Sequence, residues 1–109
     1  MIDNYLKNTI LEKIRGVAPL CRVMLFGSHA RGTAGPQSDL DLIVIVDSEM
    51  IPKTFTERTA HYLTISRALR DIERKIPIDL LVYTKPEFEH FVASRSGFSQ
   101  QVLSEAVIL

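Results

Sequence analysis

The heptapeptide Leu40–Val46 (LDLIVIV) constrains the fold of this chain more than any other segment. Apart from Asp41 its side chains are apolar, and most are β-branched, which favours a strand over a helix. It falls far short of the ~20 apolar residues a membrane helix needs. It therefore reads as a strand in a globular core, closed by Asp47-Ser48-Glu49. Asp39 and Asp41 stand at its start, separated by one residue. Alternate strand residues share a face, so both carboxylates point the same way while Leu40, Leu42 and Val44 point the other.

The remaining segments supply a small sheet and its helical cover. Ile2, Leu6, Ile10, Ile14 and Val17, with Leu11 beside them, recur at helical spacing. They predict an amphipathic helix from Asp3 to Arg15, stopped by Gly16 and Pro19. Arg22–Phe26 (RVMLF) reads as a short buried strand running into a tight turn at Gly27-Ser28. A short helix follows at His29–Thr33, limited by Gly32 and Gly35. Thr54 with Glu57, and Thr84 with Glu87, have the spacing of capping boxes. Tyr62, Ile65, Leu69, Ile72 and Ile76 then predict one helix of about five turns, ending near Lys75 ahead of Pro77. Ile78–Tyr83 (IDLLVY) is a third strand. Pro86 opens a helix carrying Phe88, Phe91 and Val92, which Ser96-Gly97 breaks. Phe98, Val102, Leu103 and Ala106 predict a last helix running close to Leu109. Three strands with helices between and after them give an α/β (α+β) class with a small sheet covered on at least one face.

Length and charge narrow the function classes. A chain of 109 residues supports one domain, residues 1–109, and can bury about two-thirds of its unfolded surface. Thirteen Lys and Arg balance thirteen Asp and Glu, which counts against direct nucleic-acid binding. The single cysteine, Cys21, excludes an intrachain disulfide and reads as a buried thiol. With no signal-peptide pattern in Met1–Lys7, the expected location is cytoplasmic, without a membrane.

The chemistry lies at the strand ends. Two adjacent carboxylates repel each other, and a divalent cation neutralises them; hard oxygen ligands select Mg²⁺ or Mn²⁺. Asp79 shares a face with Leu81 and Tyr83 in an otherwise apolar strand, where a lone carboxylate is unfavourable unless paired, metal-bound or solvated. If the second and third strands are neighbours, Asp39, Asp41 and Asp79 converge. Gly27 lets the backbone turn and approach a ligand, and the N–H groups of the helix start with the Ser28 hydroxyl form a phosphate cradle. Arg31 is close enough in sequence to reach the same anion. GSHARGTAG is not a P-loop, since it lacks the Gly-Lys-Ser/Thr ending. Taken singly, each feature has a structural explanation as a turn, a solvated strand edge or a satisfied acid. Together they are the two parts phosphoryl or nucleotidyl transfer needs, an anion cradle and a metal cluster.

Gly27-Ser28, ten intervening residues and Asp39-Leu40-Asp41 resemble the signature of the DNA polymerase beta-like nucleotidyltransferase superfamily. The string GSHARGTAGPQSDLDLIVIV is similar to its minimal nucleotidyltransferase branch, and Asp79 stands where the third family acid is expected. The resemblance implies a nucleotidyltransferase fold with a small mixed sheet and flanking helices. Gly27, Ser28 and Arg31 would hold the triphosphate of ATP. Asp39, Asp41 and Asp79 would bind two Mg²⁺ ions, and Asp79 would take the acceptor proton. Members of this branch act with a HEPN-class toxin protein, which implies AMP transfer to a tyrosine of that partner by an antitoxin.

Three other readings stand beside it. Neutralisation could occur by binding alone. AMP could go to a small molecule such as an aminoglycoside across a homodimer interface, or to RNA. His29 falls at a position that resembles a variable one in the motif. His61 and His90 lack a second ligand at metal spacing and read as structural or exposed. Ser38 reads as closing the turn before Asp39. Phe88, Phe91 and Phe98 read as core, or as a partner surface if exposed.

Overall fold

The computed structural model describes residues 2–109. Asp3 caps the first helix, α1 (Asn4–Val17), by accepting a 2.7 Å hydrogen bond from the Leu6 N–H. Ile10, Leu11 and Ile14 of α1 are buried as the spacing requires, whereas Val17 is exposed. Strand β1 (Arg22–Phe26) leads directly into a five-residue helix, α2 (Gly27–Arg31). Strand β2 (Leu40–Ile45) follows, then α3 (Phe55–Ala68), α4 (Arg70–Glu73) and strand β3 (Ile78–Tyr83). Helices α5 (Lys85–Ala93) and α6 (Gly97–Glu105) and a short strand, β4 (Val107–Ile108), complete the order. Both capping boxes form, at Thr54/Glu57 and Thr84/Glu87.

The sheet has the order β3-β2-β1-β4. β2 runs parallel to β3 and antiparallel to β1, and β4 is antiparallel to β1. A parallel pair requires a crossover, which α3 and α4 provide. β2 lies inside the sheet, and its alternation divides the core in two. Leu40, Leu42 and Val44 pack with α1, α3 and α4 through Ile10, Ile14, Ile65, Leu69 and Ile72. Ile43 and Ile45 face the other way, toward Phe26, Tyr83, Phe91 and Val102. Both faces of the sheet are therefore covered, which explains why the LDLIVIV run is apolar on both sides.

Four expectations need correction. Helix α1 runs through Gly16, the expected stop, to Val17, and ends at Ala18 just ahead of Pro19. The predicted five-turn helix is interrupted at Leu69, whose ψ of 3° leaves the helical range. The Leu69 N–H is shared between the carbonyls of Ile65 and Ser66. The break keeps Leu69 and Ile72 in the core, whereas Tyr62, on the same predicted stripe, is exposed. The short helix starts at Gly27, two residues before the expected His29. A fourth strand exists, because residues after α6 pair with Met24 and Leu25, and the Leu109 N–H reaches the Val23 carbonyl at 2.9 Å. Two residues carry no readable alternation, and only the edge of β1 makes them a strand. Phe88 and Phe91 are partly buried, and Phe98 is half exposed. No helix among the described residues is long and apolar enough to cross a membrane.

Leu42 is fully buried, between Leu25 on β1 and Leu80 on β3. Leu42→Ala is expected to lower unfolding stability by about 2–5 kcal/mol, read from the urea midpoint.

Candidate active site

The site forms where β1 ends and β2 and β3 begin. Register sets Phe26 opposite Asp41 across the antiparallel pair, and Asp41 beside Asp79 across the parallel pair. The adjacency that sequence left conditional is present. Asp41 and Asp79 project from one face of the sheet, and Asp39, exposed, lies just ahead of β2. The Leu40 N–H donates to the Pro77 carbonyl at 2.9 Å, fixing this end of the two strands together.

Gly27 explains why the turn has its sequence. Its φ is +73°, a conformation that L side chains rarely adopt. A Cβ at this position would overlap the Asp41 carboxylate. Backbone conformation favours glycine, and a side chain here would also push the Asp41 carboxylate aside. No side chain caps the start of α2, so its first N–H groups have no side-chain acceptor. With only five residues the helix contributes little macrodipole, so an anion bound here would be held by those N–H groups and the Ser28 hydroxyl.

The loop to Asp39 is tied from both ends. His29 Nε2 lies 3.3 Å from the Ser38 carbonyl oxygen, and Ser38 Oγ accepts a 2.9 Å hydrogen bond from the Gly35 N–H. Ser38 thus closes the turn as expected, and His29 helps to hold it. Arg31 has a partner that sequence reading missed: its Nη1 stands 2.6 Å from Glu105 Oε2. The two are 74 residues apart, and no local spacing signals the pair.

Burial pushes the Asp41 carboxyl above the ordinary carboxylate range, and the negative charges of Asp79 and Asp39 push it further. His29 and Arg31 oppose the shift. The ion pairs among the described residues include none of these three aspartates. Uncompensated carboxylate oxygens of this kind suit a hard divalent cation, and Asp39, Asp41 and Asp79 are the residues that would hold it. As they stand, no three His, Cys, Asp or Glu side chains among the described residues are close enough to hold an ion. The donor chemistry fits Mg²⁺; a closed cage is not preformed.

Elsewhere the structure agrees with the simpler readings. Cys21 is buried, and burial raises its thiol. His61 is half-buried and His90 exposed.

A family model described as polymerase beta, nucleotidyltransferase matches residues 8–107. The chain belongs to this family. As a nucleotidyltransferase domain it has structural neighbours of low sequence identity, which bear on its fold. One is a chain from the crystal structure of a toxin–antitoxin with AMP-PNP, at 23% identity and a TM-score of 0.55. The match covers 94% of this chain and 70% of that one. Another, from Sulfolobus solfataricus, is assigned as a nucleotidyltransferase, at 22% identity and a TM-score of 0.60. That match covers 95% of this chain and 76% of the neighbour. No curated protein matches this nucleotidyltransferase.

Two predictions follow from the Gly27–Asp41 contact. Gly27→Ala is expected to destabilise the domain by about 1–3 kcal/mol and to displace the Asp41 carboxylate. Gly32, also at positive φ but with open space around it, is the control. Gly32→Ala should carry only the backbone strain of about 1–2 kcal/mol, with activity retained. Urea unfolding and a transfer assay separate the two. The second prediction concerns pH. Because folding raises the Asp41 carboxyl, the native state binds more protons than the unfolded chain above the ordinary carboxylate value. Stability then falls as pH rises through that interval. Without divalent cation, Asp41→Asn should raise the melting temperature at neutral pH and flatten this decline.

Proposed function

We propose that this domain transfers AMP from ATP to a tyrosine hydroxyl of a HEPN-type toxin, and so acts as the antitoxin of a cytoplasmic pair. The observation that carries the reading is the convergence of Gly27 and Ser28 with Asp41 and Asp79 at one end of the sheet. Family membership supports nucleotidyl transfer, and the neighbour that is a toxin–antitoxin with AMP-PNP supports an adenine nucleotide and a toxin as partner; the HEPN class of that toxin rests on the motif resemblance.

In this reading Gly27 and Ser28 bind the triphosphate through backbone N–H groups and the hydroxyl, and Arg31 donates to its oxygens. Two Mg²⁺ ions, when held by Asp39, Asp41 and Asp79, supply the charge that stabilises the attacking and leaving oxygens of an in-line displacement. Asp79, exposed at the start of β3, accepts the proton of the attacking hydroxyl. A bond forms from that hydroxyl oxygen to the α-phosphorus, the bond from the α-phosphorus to the bridging oxygen breaks, and pyrophosphate leaves. Residues 1–109 act as one domain, paired with the partner or as a homodimer.

The open arrangement of the acids favours a second reading, in which the partner is neutralised by binding alone. One experiment addresses both. The chain is incubated with Mg²⁺, a HEPN-type partner and ATP labelled at the α or the γ position. Transfer of the α label only, with the partner gaining the mass of AMP, is the expected result. The Asp39→Asn/Asp41→Asn double variant should lose at least about 100-fold in rate. A double variant that still neutralises the partner, with no label transferred by the native chain, establishes the binding reading instead.

A further inference from the structure

Helix α6 lays a stripe of three residues, Phe98, Val102 and Glu105, along the segment from Phe26 to Arg31. Phe98 meets Phe26 edge-on, with ring centroids 6.2 Å apart. Val102 is buried in the same cluster as Phe26. About two turns beyond Phe98, Glu105 meets Arg31 at 2.6 Å. The spacing of four and three places all three on one side of α6. The stripe therefore holds the β1 end through its hydrocarbon and α2 through its charge.

The ion pair is asymmetric. The Glu105 side chain is 13% exposed and that of Arg31 45%. Only Nη1 is engaged, in a single hydrogen bond. A guanidinium has five N–H donors, so most remain to donate elsewhere. Arg31 lies three residues after Ser28, on the same side of α2, and helical side chains lean toward the N-terminus. Its charge is also felt at Asp41. A partly exposed pair adds little to stability; its effect is on where the guanidinium stands.

We propose that Glu105 is a positioning residue, fixing the Arg31 guanidinium so that its remaining donors face the polyphosphate of a nucleoside triphosphate seated at Gly27-Ser28. This rests on the nucleotidyltransferase reading above. Without Glu105 the long Arg31 side chain is ordered only when nucleotide binds, and that ordering is subtracted from affinity.

The test is calorimetric titration of ATP and of AMP, each with Mg²⁺, into the full chain and its variants. Glu105→Gln is expected to weaken ATP binding about three- to tenfold, with AMP binding and the melting temperature close to native. Arg31→Ala should weaken ATP at least as much, and the double variant should be no weaker than Arg31→Ala alone, because Glu105 acts only through Arg31. Glu105→Asp, which keeps the charge on a shorter arm, should fall between native and Glu105→Gln, and it serves if Glu105→Gln does not fold. Unchanged or tighter ATP binding by Glu105→Gln overturns the positioning role. So does an equal loss for ATP and AMP, or additive losses in the double variant. A native chain that binds neither nucleotide overturns the nucleotidyltransferase reading, and this role with it.

Discussion

The close approach of the Gly27 backbone to the Asp41 carboxylate is the constraint on which the rest of the site depends. A left-handed residue after β1 turns the chain at once into α2, and glycine there leaves the Asp41 carboxylate where it stands. That turn starts α2 beside the end of the sheet where Asp41 emerges. A side chain at this position would separate an anion cradle from the carboxylates by disturbing both.

Such an arrangement is unfavourable in isolation, and the sheet sustains it. Asp41 is partly buried beside Asp79 with no cation paired to it, and its carboxyl is raised accordingly. Two residues along, β2 is fully buried on both faces, in two separate clusters. The apolar part of the strand anchors the same backbone that presents the acid. Register does the positioning. A one-residue slip of β2 against β3 would send Asp41 and Asp79 to opposite faces, and the two-sided core forbids that slip.

Much of this was legible in the sequence, and what was not has physical reasons. Strands β1, β2 and β3 announced themselves through short apolar runs bounded by turn residues. The spacing of the glycine, the serine and the aspartates pointed to one end of the sheet, where the fold sets Gly27, Asp41 and Asp79 together. Adjacency of β2 and β3 was not readable, because sequence does not order strands; the crossover helices settle it in the fold. The interruption at Leu69 was hidden, since an unbroken apolar stripe gives no sign of a one-residue departure from helical geometry. β4 is two residues long and depends wholly on the edge of β1. Glu105 carries no local signal, since its meaning comes from a residue 74 positions away.

The supports of the motif share a location. β4, Glu105 and Phe98 all belong to the C-terminal third, and each acts by touching the segment from Val23 to Arg31. The motif itself is continuous in sequence, so local spacing finds it. Its support is assembled from far along the chain, and tertiary packing alone brings it there. The residues that name the chemistry are thus read locally, whereas those that hold it in place are found only in the fold. A substitution in α6 can therefore alter the site without touching any residue of the Gly-Ser…Asp-x-Asp pattern.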